Sequence, residues 1–231
     1  MKSLSWRLRL RIFLKPDSVN WNELSSYYAL PERFIEAYST KVNWRLVSLY
    51  QDLTEEFIAM HQHNVDWDHI SGKQRLSEAF IVKHRHWVNW RLISQYQVLS
   101  EAFIQQHRTL VCWPTISGHQ DLSEWFIHRY SYLVDWSHIC ARQALSEEFM
   151  IHHKDDLDWV MVSVHQQLSD EFTTTYGDKL TWSLISEYQP LSEEFILKNL
   201  TRLDLEQVAR RYPSIYQRYN LQLYQTLAAC T

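Results

Sequence analysis

Residues 65–87 read VDWDHISGKQRLSEAFIVKHRHW, and two helix starts lie within these 23 residues. Asp66 is placed to cap the first, because its carboxylate can accept from the unpaired amides of the first turn. Val65 before the cap and Ile70 at the fourth helical position form a hydrophobic staple that sets the angle at which the chain joins the helix. Ser77 caps the second start. Leu76 and Ile81 supply its staple, and Glu78 stands where the helix dipole favours an anion. The stretch predicts two short helices, over 67–74 and 78–86. Helices of about two turns do not hold alone, since nucleation costs more than so few hydrogen bonds return. Their apolar faces must be buried against something else.

The rest of the chain supplies it. Trp21, Trp44, Trp67, Trp90, Trp113, Trp136, Trp159 and Trp182 are spaced 23 residues apart without exception. Leu30, Leu53, Leu76, Leu99, Leu122, Leu145, Leu168 and Leu191 keep the same step. So do Phe34, Phe57, Phe80, Phe103, Phe126, Phe149, Phe172 and Phe195. No insertion breaks the register over residues 19–208, and Leu205 reads as a decayed ninth Trp. A fixed period of this kind marks a repeat architecture in which neighbours bury each other's apolar faces. The expectation is an all-α solenoid of about eight 23-residue two-helix repeats, with the Trp and Phe columns in its core. The cap column runs Asn20, Asn43, Asp66, Asn89, Cys112, Asp135, Asp158, Thr181, Asp204, and only Cys112 should fail as a cap.

Three segments follow: 1–18 as a basic anchor or cap, 19–212 as the solenoid, and 213–231 as a Tyr-rich capping helix. Residues 1–15 carry Lys2, Arg7, Arg9, Arg11 and Lys15 without an acid, so a total charge of -4 leaves -9 on the remainder. Trp6, Leu8, Leu10 and Ile12 alternate with the arginines, a period of two that predicts a strand, with a fraying helix as its rival. Glycine occurs three times in 231 residues, far below the usual share of roughly 7%. That scarcity argues against Gly-rich phosphate loops. No run approaches the length of about 20 apolar residues that a membrane span needs. Three cysteines (Cys112, Cys140, Cys230) lack framework spacing, which favours a reducing compartment over secretion.

The string Leu-Ser-Glu-Glu-Phe-Ile at residues 191–196, with the Val-Asp-Trp-x-x-Ile-Ser of residues 65–71, resembles short helical repeats in proteins of large DNA viruses, including those infecting amoebae. The resemblance covers residues 19–208 and implies a repeat scaffold and a viral origin. It carries over no catalytic residue.

Candidate chemistry is weighed column by column. His61, His84, His107 and His153 share a column with Tyr38, Tyr130 and Tyr176, and His63, His86 and His152 lie nearby. Interchange with Tyr reads as amphipathic filler rather than metal ligation, so neither a metal nor another cofactor is expected. Ser48, Ser71, Ser94, Ser117, Ser163 and Ser186 read as small residues for close helix approach, since no triad partners recur with them. The Gln column (Gln51, Gln74, Gln97, Gln120, Gln143, Gln166, Gln189) is expected to satisfy connector backbone groups. First-turn acids such as Glu55, Glu78, Glu101, Glu124 and Glu147 complement helix dipoles and would form an acidic ridge.

Large residues at positions that vary between repeats, Trp87 and Tyr132 among them, mark candidate contact surface together with Trp6, Arg7, Arg9 and Arg11. The functional expectation is a non-enzymatic scaffold that mediates protein–protein contacts in a large assembly, such as a minor, capsid-associated component of a virion, located in the cytoplasm or the virion. An adaptor recruiting a host protein through the solenoid surface is the first alternative. Nucleic-acid binding through the basic start is the second, and the acidic remainder weighs against it.

Overall fold

The computed structural model describes residues 2–218, which are helical throughout apart from short connectors; one isolated bridge pairs Lys2 with Tyr28. The predicted capping helix is described only in part, with residues 213–218 helical and the remainder to 231 outside the described residues, Cys230 included. No helix among the described residues is long and apolar enough to cross a membrane.

Each 23-residue repeat holds a seven-residue helix that starts at the Trp and a six-residue helix that carries the Phe as its third residue, as in Trp67–Lys73 and Glu78–Lys83. The second helix ends earlier than predicted, and His84 to Trp87 form turns. The caps follow the expected chemistry. Asp66 accepts from the His69 amide at 3.1 Å, and Ser77 from the Phe80 amide at 3.2 Å. Cys112 makes no side-chain cap bond, as foreseen, but neither does Thr181, so the cap column fails at two places. No described residue has a positive φ, which is how a chain so poor in glycine makes so many connectors.

The chain divides into two compact units, Met1–Gln120 and Asp121–Thr231. In the first, helices Trp21–Tyr27, Trp44–Tyr50, Trp67–Lys73, Trp90–Tyr96 and Trp113–His119 pack in succession, each on the next. In the second, Trp136–Arg142, Trp159–His165, Trp182–Tyr188 and Leu205–Arg211 do the same. This nearest-neighbour pattern is that of a helical solenoid.

The deepest layer is not the Trp row. The residue three after each Trp of the column (Leu24, Val47, Ile70, Ile93, Ile116, Ile139, Val162, Ile185), like Val208 three after Leu205, is at most 2% exposed. The residue after each Phe is equally deep, as at Ile58, Ile81, Ile104 and Ile127. Among the Trp only Trp67 and Trp113 are buried, and the other six are half-buried. Indole is too large to vanish inside a two-helix repeat, and its N–H needs an acceptor. Each N–H finds one in the carbonyl five residues earlier, as in Trp67 to Gln62 at 2.9 Å and Trp182 to Gly177 at 2.7 Å. The Phe column, with Phe57, Phe80, Phe103, Phe126 and Phe149 all buried, lies beside it; the Trp67 and Phe80 centroids are 6.3 Å apart.

The first segment is a helix rather than the expected strand: α1 spans Trp6–Leu14, capped by Ser5, which accepts from the Leu8 amide at 3.3 Å. A spacing of four beats the spacing of two. Ile12 is buried and Leu8, one turn before it, is half-buried, so one face of the helix packs down, and Leu4, just before the cap, is buried as well. Two backbone bonds hold the segment to the first repeat, from the Lys2 amide to the Tyr27 carbonyl at 2.9 Å and from the Ala29 amide to the Lys2 carbonyl at 3.0 Å.

Candidate functional site

Three hydrogen-bonded rails, each using one column of the repeat, join neighbours within a unit. Gln97 is buried, and its Oε1 accepts from the Leu76 amide at 3.0 Å. Its Nε2 donates to the carbonyls of Ser71 at 2.9 Å and Gln74 at 2.8 Å. The Ser71 carbonyl lies in the last turn of a helix, where no intrahelical partner remains. One side chain thus satisfies three backbone groups of the preceding repeat. Gln51, Gln74 and Gln120 repeat the pattern in the first unit, and Gln166 repeats it in the second. One period beyond Gln189 the column reaches Tyr212, whose hydroxyl accepts from the Leu191 amide at 2.9 Å.

The serine column does more than the sequence reading gave it. Ser94 Oγ donates to the Trp90 carbonyl at 2.7 Å and accepts from the Cys112 amide at 3.0 Å, so it ties one repeat to the cap of the next. Cys140 replaces serine in this column, and burial pushes its thiol up to about 11. That thiol is packing, not a nucleophile. The first-turn acids are also partly committed. Glu55 accepts from the Ser77 amide at 2.5 Å and from its hydroxyl at 3.0 Å, and Glu147 does the same for Ser169. The acidic ridge is in part a third rail.

The histidine column divides. His61, His84 and His107 stack against the Trp and Phe of their own repeats, as at His84, whose centroid lies 4.3 Å from that of Phe80 and 5.3 Å from that of Trp67. Burial, then Lys83, lowers the His84 pKa below its ordinary value, and Glu55 offsets this in part. His153 stacks likewise on Phe149 and Trp136, but its ring also meets His128 and His152. His128 carried no expectation from the sequence. It sits two residues after its Phe, a column otherwise filled by Glu36, Ala59, Val82, Gln105, Ile151, Thr174 and Leu197.

Of the candidate contact residues, Trp87 stacks on Trp67 with centroids 6.0 Å apart and is still 44% exposed, so it both covers the core and faces out. Lys179 over Trp159 and Arg202 over Trp182 cover their indoles from the same column by cation–π contact. Tyr132 is exposed. On α1, Trp6, Arg7 and Arg9 are exposed, with the Arg7 guanidinium 5.5 Å from the Trp6 ring. Arg11, also exposed, donates to the Ser18 carbonyl at 2.8 Å. The sequence grouped Trp6, Leu8, Leu10 and Ile12 on one face, and the helix separates them. Ile12 and Leu8 turn inward; Trp6 and Leu10 turn outward with Phe13 and Leu14, at 69%, 49%, 76% and 63% exposure.

These features define a helical-repeat protein in which the basic helix α1 leaves several apolar side chains exposed. Compared with known proteins, the chain matches no family model, no curated protein and no solved structure.

Proposed function

We propose that the chain is a non-enzymatic scaffold that docks to another protein of a large assembly, a virion among the candidates, through the outward face of α1. One observation carries the reading. After Leu4 and Ile12 are buried, α1 still presents Trp6, Leu10, Phe13 and Leu14 to solvent beside arginines and no acid. Large contiguous apolar surface that is left open marks an interaction site. Arginine at its rim suits bidentate contact with carboxylates. The fitting partner is a protein surface with an apolar groove edged by acids, on another component or on a second copy. The apolar character of the outward face favours protein over nucleic acid, whose backbone would ask for charge alone. Within each unit the hydrogen-bonded rails tie repeat to repeat, as a scaffold requires.

Deleting residues 1–15 tests this. Docking predicts loss of a stoichiometric partner or of self-association in light scattering, with helical content per residue retained. Salt-dependent nucleic-acid binding that vanishes with the deletion, in a chain with no protein partner, would sink the reading.

A further inference from the structure

His128, His152 and His153 each offer a ring nitrogen, and the three lie within 4.8 Å of one another. His128 Nδ1 is 3.0 Å from His153 Nε2. All three stand within the second unit, His128 on helix Glu124–Arg129 and the pair at the end of Glu147–His152 in the next repeat. We propose that these residues form a three-histidine site for a divalent transition-metal ion of the zinc class.

Three arguments converge. First, the geometry is near that of a metal site. Zinc–imidazole bonds of about 2.0–2.1 Å in a tetrahedron place ligand nitrogens roughly 3.3 Å apart. One pair is close to this at 3.0 Å, and the exposed His152 keeps a ring nitrogen within 4.8 Å of both. Second, the outer partner is in place. His153 Nδ1 lies 3.1 Å from Asp156 Oδ2. A carboxylate can only accept there, so Nδ1 carries the proton and the Nε2 lone pair is turned toward His128. A carboxylate behind a ligating imidazole fixes its tautomer and raises its basicity. Third, the cluster departs from the repeat. His61, His84 and His107 occupy the column of His153, yet their buried Nε2 atoms have no partner. Only here do the two neighbouring columns also turn to histidine. His128 replaces the residues that stand two after the Phe elsewhere, and His152 stands where other repeats have Ala37, Met60, Lys83, Gln106, Arg129, Thr175 and Lys198.

The site is open on the side of His128 and His152, beside a groove that Trp125 and Glu148 help to line. Three imidazoles leave a fourth position for water or an incoming ligand. Imidazole sets suit zinc, copper and nickel rather than magnesium or calcium. A bound ion would join the second helices of successive repeats and so stabilise the second unit by mass action. This inference does not rest on the scaffold reading.

The test uses the full chain without an affinity tag, stripped with chelator and titrated with Zn2+ by calorimetry and with Co2+ by visible absorption. Expected are one ion per chain, a Co2+ spectrum of tetrahedral type, and a rise in the melting temperature with Zn2+. His128→Ala and His152→Ala, both at exposed positions, should each weaken binding more than about 10-fold and abolish the thermal shift. Asp156→Asn should weaken it about 10-fold with the fold intact, while His63→Ala and His86→Ala leave it unchanged. Absence of saturable binding, or binding that survives both His128→Ala and His152→Ala, would overturn the proposal.

Discussion

Replacing Gln97 by Met keeps the length of the side chain and removes all of its hydrogen bonds. The Leu76 amide and the carbonyls of Ser71 and Gln74, which Gln97 now satisfies, would be left in a site where the side chain is 6% exposed. Each buried polar group without a partner costs about 1–3 kcal/mol. Three such groups, with some relief from water reaching the connector, give a loss of about 3–6 kcal/mol. Burying a thioether where an amide was returns at most about 1 kcal/mol, so the sign is not in doubt. Urea denaturation followed by far-ultraviolet dichroism and by tryptophan fluorescence measures it, with both probes needed because repeat arrays can unfold in steps. His86→Ala, at an exposed position, is the control and should stay within about 0.5 kcal/mol. If Gln97→Met costs no more than the control, the rails are ornaments of the fold and not what holds its register.

Other substitutions probe other columns. Trp90→Ala removes a half-buried indole that packs on Phe103 and His107 and donates to the Arg85 carbonyl, and should cost about 3 kcal/mol in the same assay, whereas Trp6→Ala should cost under about 0.5 kcal/mol. His84→Tyr, a residue the column already uses, should flatten the stability profile in acid: a folded pKa lowered from 6.5 means that the unfolded chain takes up the proton first, so stability present above 6.5 is lost as pH falls below it. Cys140, fully buried with its thiol near 11, should resist iodoacetamide at pH 8 until the chain unfolds, while Cys112, half-buried, reacts first.

Much of the fold is legible because its signal is summed over eight copies. The strict 23-residue spacing of the Trp, Leu and Phe columns required identical surroundings in each repeat, and Asp66 and Ser77 announced both helix starts. What was hidden lies in contacts between repeats, which spacing alone does not describe. Ser94 looked like a small residue until its hydroxyl was seen bridging Trp90 and Cys112. Glu55 looked like a dipole complement until it was seen holding Ser77. The Trp dominated the pattern by rarity, yet the smaller Ile93 and Ile104 lie deeper, because a two-helix repeat has room for an isoleucine and not for a whole indole. The first segment misled for a different reason. Alternating arginines suggested a strand, but Leu8 and Ile12 share one face of a helix, and nothing in a segment without copies let one repeat correct the reading of another. His128 was missed because the histidines were compared down one column, whereas the cluster forms across columns of adjacent repeats.

The central claim is that α1 docks the chain through its outward face while its inward face merely folds. Leu10→Glu with Phe13→Glu separates the two, since both residues are exposed while Leu4 and Ile12 are the ones buried. Light scattering and co-purification of the full chain, measured beside thermal melting, read both properties at once. The account predicts that the doubly substituted chain melts within the roughly 0.5 kcal/mol expected of surface changes and no longer associates. Unchanged association, or early melting with the partner still bound, would contradict it and leave α1 as a cap on the first repeat.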